Sequence, residues 1–132
     1  KNEYHKLRTY LKMADNVEEL KKDLLKLLND LKKKKKKIVA YSAPAKGIVL
    51  LNYFGIGKNY LDFIVDKAKE KQGLYTPGMH MKVYPIEKIN DDNPDYAIIL
   101  CWNIADEVMK DFSTYSKKGG KFIIPVPSLN IK

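Results

Sequence analysis

The chain has 132 residues, 45% of them apolar and 11% aromatic, which is material for one buried core and one compact domain. Its formal net charge of +9, from 25 lysines and arginines against 16 aspartates and glutamates, favours anionic ligands or nucleic acid as partners. The single cysteine, Cys101, excludes an internal disulfide, and no apolar run approaches the roughly 20 residues of a membrane span. The N-terminal segment lacks the apolar region of a signal peptide, so no membrane partner and a cytoplasmic location are expected. The chain starts at Lys1 rather than methionine, which suggests a processed product or a piece of a longer protein.

In chain order, residues 16–31 carry Val17, Leu20, Leu24, Leu27, Leu28 and Leu31 at the spacing of one helical stripe, which predicts an N-terminal amphipathic helix. Asn16 is suited to cap it and Glu19 to close a capping box, and the lysine run 32–37 places positive charge at its C-terminus. That run reads as a solvated face. Arg8 is the only arginine, although arginine is the preferred partner of phosphates and base edges, so nucleic acid is not the expected partner. The stretch KIVAYSAPAKG predicts a buried strand feeding a helix through a tight turn, with Pro44 in the first turn and Gly55 and Gly57 closing the helix.

YLDFIVD predicts a second strand ending at Asp66. It is followed by KQGLYTPGMH, residues 71–80, a long loop without apolar periodicity and therefore a place to look for function. MKVYPIEKI predicts a short strand or turn, with a one-turn helix near Pro85 and Glu87, and YAIILC a third buried strand. Ile104, Val108, Phe112 and Tyr115 mark one further helix ending at Gly119 and Gly120, and the prolines of KFIIPVPS place the last strand at an edge or end it. Strands alternating with helices imply an α/β fold with a mostly parallel sheet covered on both faces.

Such sheets bind ligands beyond the carboxyl ends of their strands, so residues 41–47, 66–80 and 102–103 are expected to share one crevice. The turn SAPAKG has a single glycine and matches neither G-x-G-x-x-G nor a P-loop, but it sets free N–H groups at a helix start beside Lys46. Each candidate also has a purely structural reading. Lys46 suits a pyrophosphate or is an ordinary exposed lysine; His80 suits a sugar or phosphate or locks its own loop; Asp66 accepts from sugar hydroxyls or caps a turn. Lys71 and Gln72 are donors at a loop rim, Tyr41 and Trp102 are stacking surfaces or core, and Asn52 and Asn103 bind ligand or satisfy nearby backbone. Gly73 and Gly78 permit positive φ or close approach of a ligand, and Pro77 stiffens the turn. Ser42, His80 and Asp66 fall in the same region without the G-x-S-x-G of a nucleophile elbow, and His5 reads as a surface histidine. Two histidines and one cysteine offer no metal cluster.

Ala45-Lys46-Gly47, residues 50–53 (LLNY), Asp66, Lys71-Gln72-Gly73, Pro77-Gly78-Met79-His80, Trp102-Asn103 and residues 119–127 occur in an order and spacing that resemble the C-terminal domain of sugar C-methyltransferases. Those enzymes methylate carbon on nucleotide-linked deoxysugars using S-adenosylmethionine. The departures are Met79, where threonine is common, and Cys101, where alanine is. The resemblance implies a Rossmann-like three-layer sandwich over residues 38–132, preceded by a linker and amphipathic helix, residues 1–37, leading from a catalytic domain. It implies a substrate-side module that binds a nucleotide-linked sugar through Tyr41, Ala45, Lys46, Gly47, Asn52, Asp66, Lys71, Gln72, Gly73, Pro77, Gly78, His80, Trp102 and Asn103. No residue of this chain is expected to be catalytic. One cysteine cannot build the zinc module of such enzymes, and no cofactor is expected in this fragment: S-adenosylmethionine and the domain that holds it lie elsewhere in the parent protein. The alternatives are a lysine-rich nucleic-acid-binding domain and an unrelated Rossmann-like nucleotide binder.

Overall fold

The computed structural model describes residues 17–125 and 129–132; the expected Asn16 cap, His5 and Pro127 lie outside them. Helix α1, Val17–Lys33, runs two residues beyond the expected end. Its buried positions Leu20, Leu24, Leu28 and Leu31 recur every three or four residues, and Lys22, Asp23, Lys26, Asn29 and Asp30 between them are exposed. Glu18 and Glu19 in the first turn and Lys32 and Lys33 in the last complement the helix dipole. The chain leaves α1 through Lys35, which takes the left-handed conformation (φ 59°) usually given to glycine, while the Lys36 N–H returns to the Leu31 carbonyl.

Strand β1, Ile38–Tyr41, is buried along its whole length. Helix α2, Ala45–Phe54, follows from Pro44 at its N-cap and ends at Gly55, whose φ of 72° is the left-handed cap expected of a glycine. Strands β2, Ile64–Val65, and β3, Val83–Tyr84, are short. Helix α3, Glu87–Asp92, matches the expected single turn near Pro85, and β4 is Tyr96–Ile99. A 3-10 turn at Trp102–Ile104 then leads into α4, Ala105–Asp111, and α5, Ser113–Lys117. The single helix expected here is bent at Phe112 (φ −105°, ψ 32°), where Asp111, Ser113 and Thr114 are weak helix formers. Strand β5, Lys121–Ile124, stops at Pro125, as its prolines require, but it is not the edge: β6, Asn130–Ile131, pairs with it antiparallel.

The six-stranded sheet has the order β3-β2-β1-β4-β5-β6 and is parallel except for β6. The period of two along each strand divides the core. Ile38, Ala40, Ile64, Ile98 and Ile123 face α1 and α2, whereas Val39, Tyr41, Val65, Ala97, Ile99 and Phe122 face Ile89 of α3, Val108 of α4 and Tyr115 of α5. The Tyr53 hydroxyl donates to Glu18 (2.6 Å) and the Tyr60 hydroxyl to Asn29 (2.9 Å), fixing α1 along its layer. Among the described residues no helix is long and apolar enough to cross a membrane.

From β1 the chain steps outward to β2 and β3, then returns to place β4 on the other side of β1, so the strand order reverses between β1 and β4. At that point α2 lies close to the sheet. A Cβ on Gly47 would stand 2.7 Å from Leu100 Cβ, just past the end of β4. Replacing Gly47→Val is expected to destabilise the protein by about 1–3 kcal/mol, the usual cost of overpacking. A urea midpoint equal to that of the parent chain would contradict this close approach.

Candidate functional site

Beyond the carboxyl ends of β1 and β2 the polar groups converge on Asp66, which is only 6% exposed. Its Oδ2 accepts the Ala43 N–H at 2.8 Å and the Ser42 hydroxyl at 3.4 Å; its Oδ1 accepts the Ala68 N–H at 2.8 Å. Lys71 places its ammonium 3.9 Å from Oδ2 and donates to the Ala43 carbonyl at 3.0 Å, and the Gln72 amide donates to the Asp66 carbonyl at 2.9 Å. Asp66 therefore caps the turn, and Lys71 and Gln72 fasten the beginning of the long loop to it. Ser42, the first residue after β1, holds φ at 78°, a left-handed conformation that costs a non-glycine residue about 1–3 kcal/mol and is fixed here by its N–H bond to the Val65 carbonyl.

Tyr41 is core rather than an open stacking surface: it is 6% exposed, with its ring edge on Phe112 at 5.2 Å. Burial, reinforced by the charges of Cys101, Asp66 and Asp111, pushes its pKa up to about 12. Burial also pushes the half-buried Cys101 thiol up, against a hydrogen bond with Ser42 that acts the other way. At neutral pH this side chain is a thiol and not an activated nucleophile.

Ala45 and Lys46 are exposed in the first turn of α2, with Gly47 buried behind them. Trp102 is half-buried and packs against both apolar clusters, and Asn103 is exposed; the two line a cavity of about 450 Å³ that opens toward β6. Tyr41, Ala45, Lys46, Gly47, Asp66, Lys71, Gln72, Trp102 and Asn103 thus gather at the carboxyl ends of the strands. Pro77 stays beside them, lining a small apolar pocket of about 170 Å³ with Ala43, Ile48 and Lys71, whereas Asn52, Gly78 and His80 lie away from them. The long loop runs outside β3, where the Gly73 N–H bonds the Val83 carbonyl, and Tyr75 bridges Lys82. It then packs on the far end of α2, where Asn52 donates to the Pro77 carbonyl at 3.1 Å and a Cβ on Gly78 would strike the Asn52 side chain. His80 comes to lie at the amino ends, in a groove of about 670 Å³ with Lys37, Lys58, Lys82 and Lys88. Ser42 and Asp66 meet without a histidine, so no Ser-His-Asp relay is assembled among the described residues.

Sequence reasoning passes over Ser42 as a hub and over that groove. Nothing in the string signals the φ of Ser42, and the groove's lysines come from four separate segments. Among the described residues no group of three or more His, Cys, Asp or Glu side chains is placed to hold a metal ion.

Removing the carboxylate by Asp66→Ala leaves the Ala43 and Ala68 N–H groups without their acceptor and is expected to lower stability by about 1–3 kcal/mol in a urea melt. The pH dependence follows from Tyr41. An acid whose folded pKa exceeds its unfolded value holds its proton more tightly when folded, so its contribution is complete below pH 10.0 and is lost as the pH rises toward about 12. Melting temperature should fall over that window, and Tyr41→Phe should flatten part of the fall; an equally steep loss in the variant would assign it to other groups.

The family model for the C-methyltransferase C-terminal domain matches residues 1–127. A C-methyltransferase of Streptomyces niveus, NovU, is 32% identical over 118 residues, which are 89% of this chain and 28% of the relative. The chain thus spans less than a third of the length of that relative. It belongs to the family of C-methyltransferase C-terminal domains.

Proposed function

We propose that this chain is the substrate-side domain of a C-methyltransferase acting on a nucleotide-linked sugar, with the methyl donor held by another domain of the parent protein. The observation that carries the reading is the reversal of strand order between β1 and β4, directly before the N-terminus of α2 with Lys46. A crevice at such a reversal is where open parallel sheets bind their ligands. The order 3-2-1-4-5-6, with apolar clusters on both faces, supports a Rossmann-like three-layer sandwich for residues 38–132, preceded by an amphipathic helix within the linking segment 1–37.

In this reading the N–H groups of the first turn of α2 and the Lys46 ammonium hold the pyrophosphate. Asn103 hydrogen-bonds the sugar, and Trp102 gives the ring an apolar wall. Asp66, Lys71 and Gln72 hold the turn in shape, since their polar atoms are already bonded within it. S-adenosylmethionine supplies the electrophilic methyl group, and because the crevice at the strand-order reversal is given to the sugar nucleotide, the donor is assigned to another domain of the parent protein.

Calorimetric titration with a panel of UDP- and dTDP-linked sugars tests the reading. Lys46→Ala should weaken binding about 10-fold, as for loss of one charge-assisted contact. The melting temperature should hardly move, because Lys46 is exposed. Unchanged affinity would remove the crevice assignment. Incubation with labelled S-adenosylmethionine and the same sugars should yield no labelled product from this chain alone, and turnover would overturn the division of labour.

A further inference from the structure

We propose that the groove at the amino ends of β1, β2 and β3 is a second ligand site, separate from the crevice, that takes a free nucleotide. The inference does not depend on the sugar-nucleotide reading. The groove is open to solvent, holds about 670 Å³ and is lined by Lys37, Lys58, Lys82 and Lys88 against two carboxylates, Asp62 and Asp92. Neither carboxylate is left to attract a cation. Asp92 is shared by Lys37 at 3.5 Å and Lys88 at 3.6 Å, and Asp62 is engaged by Lys32 at 3.8 Å. The net charge facing the cavity is positive, and Lys58, exposed at its rim, forms no hydrogen bond or ion pair with any described residue. Such a site recruits a polyanion and repels a metal ion.

The aromatic side chains specify what the anion is attached to. Lys88 lies over the rings of Phe63 (5.0 Å) and Tyr84 (4.7 Å), and Lys82 lies over Tyr84 (5.4 Å), so these rings serve to position the ammonium groups. Tyr75 differs: it is 61% exposed, and its backbone is bridged to Lys82. This places a ring suited to stacking beside a phosphate-binding cation. The turn between them is rigid. The Thr76 N–H bonds the Met81 carbonyl at 2.9 Å, the Met81 N–H bonds the Thr76 hydroxyl at 3.0 Å, and the His80 N–H bonds the Thr76 carbonyl at 3.1 Å. His80 is held at φ 52°, a conformation a histidine adopts at a cost, and it lines the same cavity. An aromatic platform beside a lysine cluster, in a cavity of the size that holds one small molecule, matches a base joined to phosphates.

Nuclear magnetic resonance titration of the whole chain with ADP, pyrophosphate and adenosine at low salt is the test. ADP should shift the amide signals of Lys58, Tyr75, Lys82 and Lys88 and leave those of Lys46, Trp102 and Asn103 in place. The double change Lys58→Ala and Lys82→Ala should weaken ADP and pyrophosphate at least about 10-fold, as for loss of charge-assisted contacts. Tyr75→Ala should weaken ADP about 5-fold or more, as for loss of one stacked base, and leave pyrophosphate unchanged. Lys46→Ala should change neither, whatever it does to sugar-nucleotide binding. Shifts confined to the crevice, sensitivity to Lys46→Ala, or no shift with any probe would overturn the proposal. So would a single-stranded oligonucleotide that binds more tightly than ADP with steep salt dependence, because that result assigns the lysines to a polymer surface. The shift map of the unaltered chain decides the matter even if a variant fails to fold.

Discussion

The carboxylate of Asp66 is the contact on which the geometry at the carboxyl ends of the strands depends. A buried charge is tolerated only when its lone pairs are filled, and here two backbone N–H groups, a hydroxyl and an ammonium fill them. The bond to Ala43 fixes the turn after β1, which puts Pro44 at the N-cap of α2 and brings Gly47 against Leu100. The bonds to Ala68 and from Lys71 and Gln72 fix where the long loop leaves β2. One side chain therefore sets both the entry to the helix and the start of the loop. A ligand that displaced any of its partners would have to replace the lost bond to a carboxylate that is only 6% exposed.

The lysine run is more than the solvated face that its composition suggests. Lys33, Lys34 and Lys35 are exposed, but Lys32 reaches Asp62 before β2, and Lys37 is held twice: its N–H bonds Asp95 at 2.7 Å and its ammonium pairs with Asp92 of α3. The run thus joins the amino ends of β1, β2 and β4. It also gives that end of the sheet the positive character that the groove beside it shares.

Elements whose identity rests on local pattern were legible in the sequence. The leucine stripe of α1, the unbroken apolar runs of β1 and β4, and the glycine that closes α2 each have a signal within one or two turns of chain. Strand β6 has none: Asn130 and Ile131 are exposed and owe their conformation to pairing with Ile123 and Ile124. The bend at Phe112 was hidden because Val108, Phe112 and Tyr115 keep a helical spacing through it and remain buried on one side. The ordered motifs identified the family but did not reveal that Gly78 and His80 leave the crevice. That depends on non-local contacts, the Gly73 and Tyr75 bonds along β3 and the fit of Gly78 against Asn52, which a one-dimensional spacing does not encode.

Trp102 makes the carboxyl end of β4 a joint between the two apolar layers. It lies just past the last paired residues, where no strand separates the two apolar layers, and it packs against both of them. Its neighbours on one side include the layer of α1 and α2; on the other they include the layer of α4 and α5. A group bound against Trp102 would press on both layers at once. The backbone here is held by the 3-10 turn, whose Ile104 N–H returns to the Cys101 carbonyl at 3.0 Å. At the carboxyl ends, then, Trp102 joins the two layers on the β4 side, while the first turn of α2 presents exposed Ala45 and Lys46.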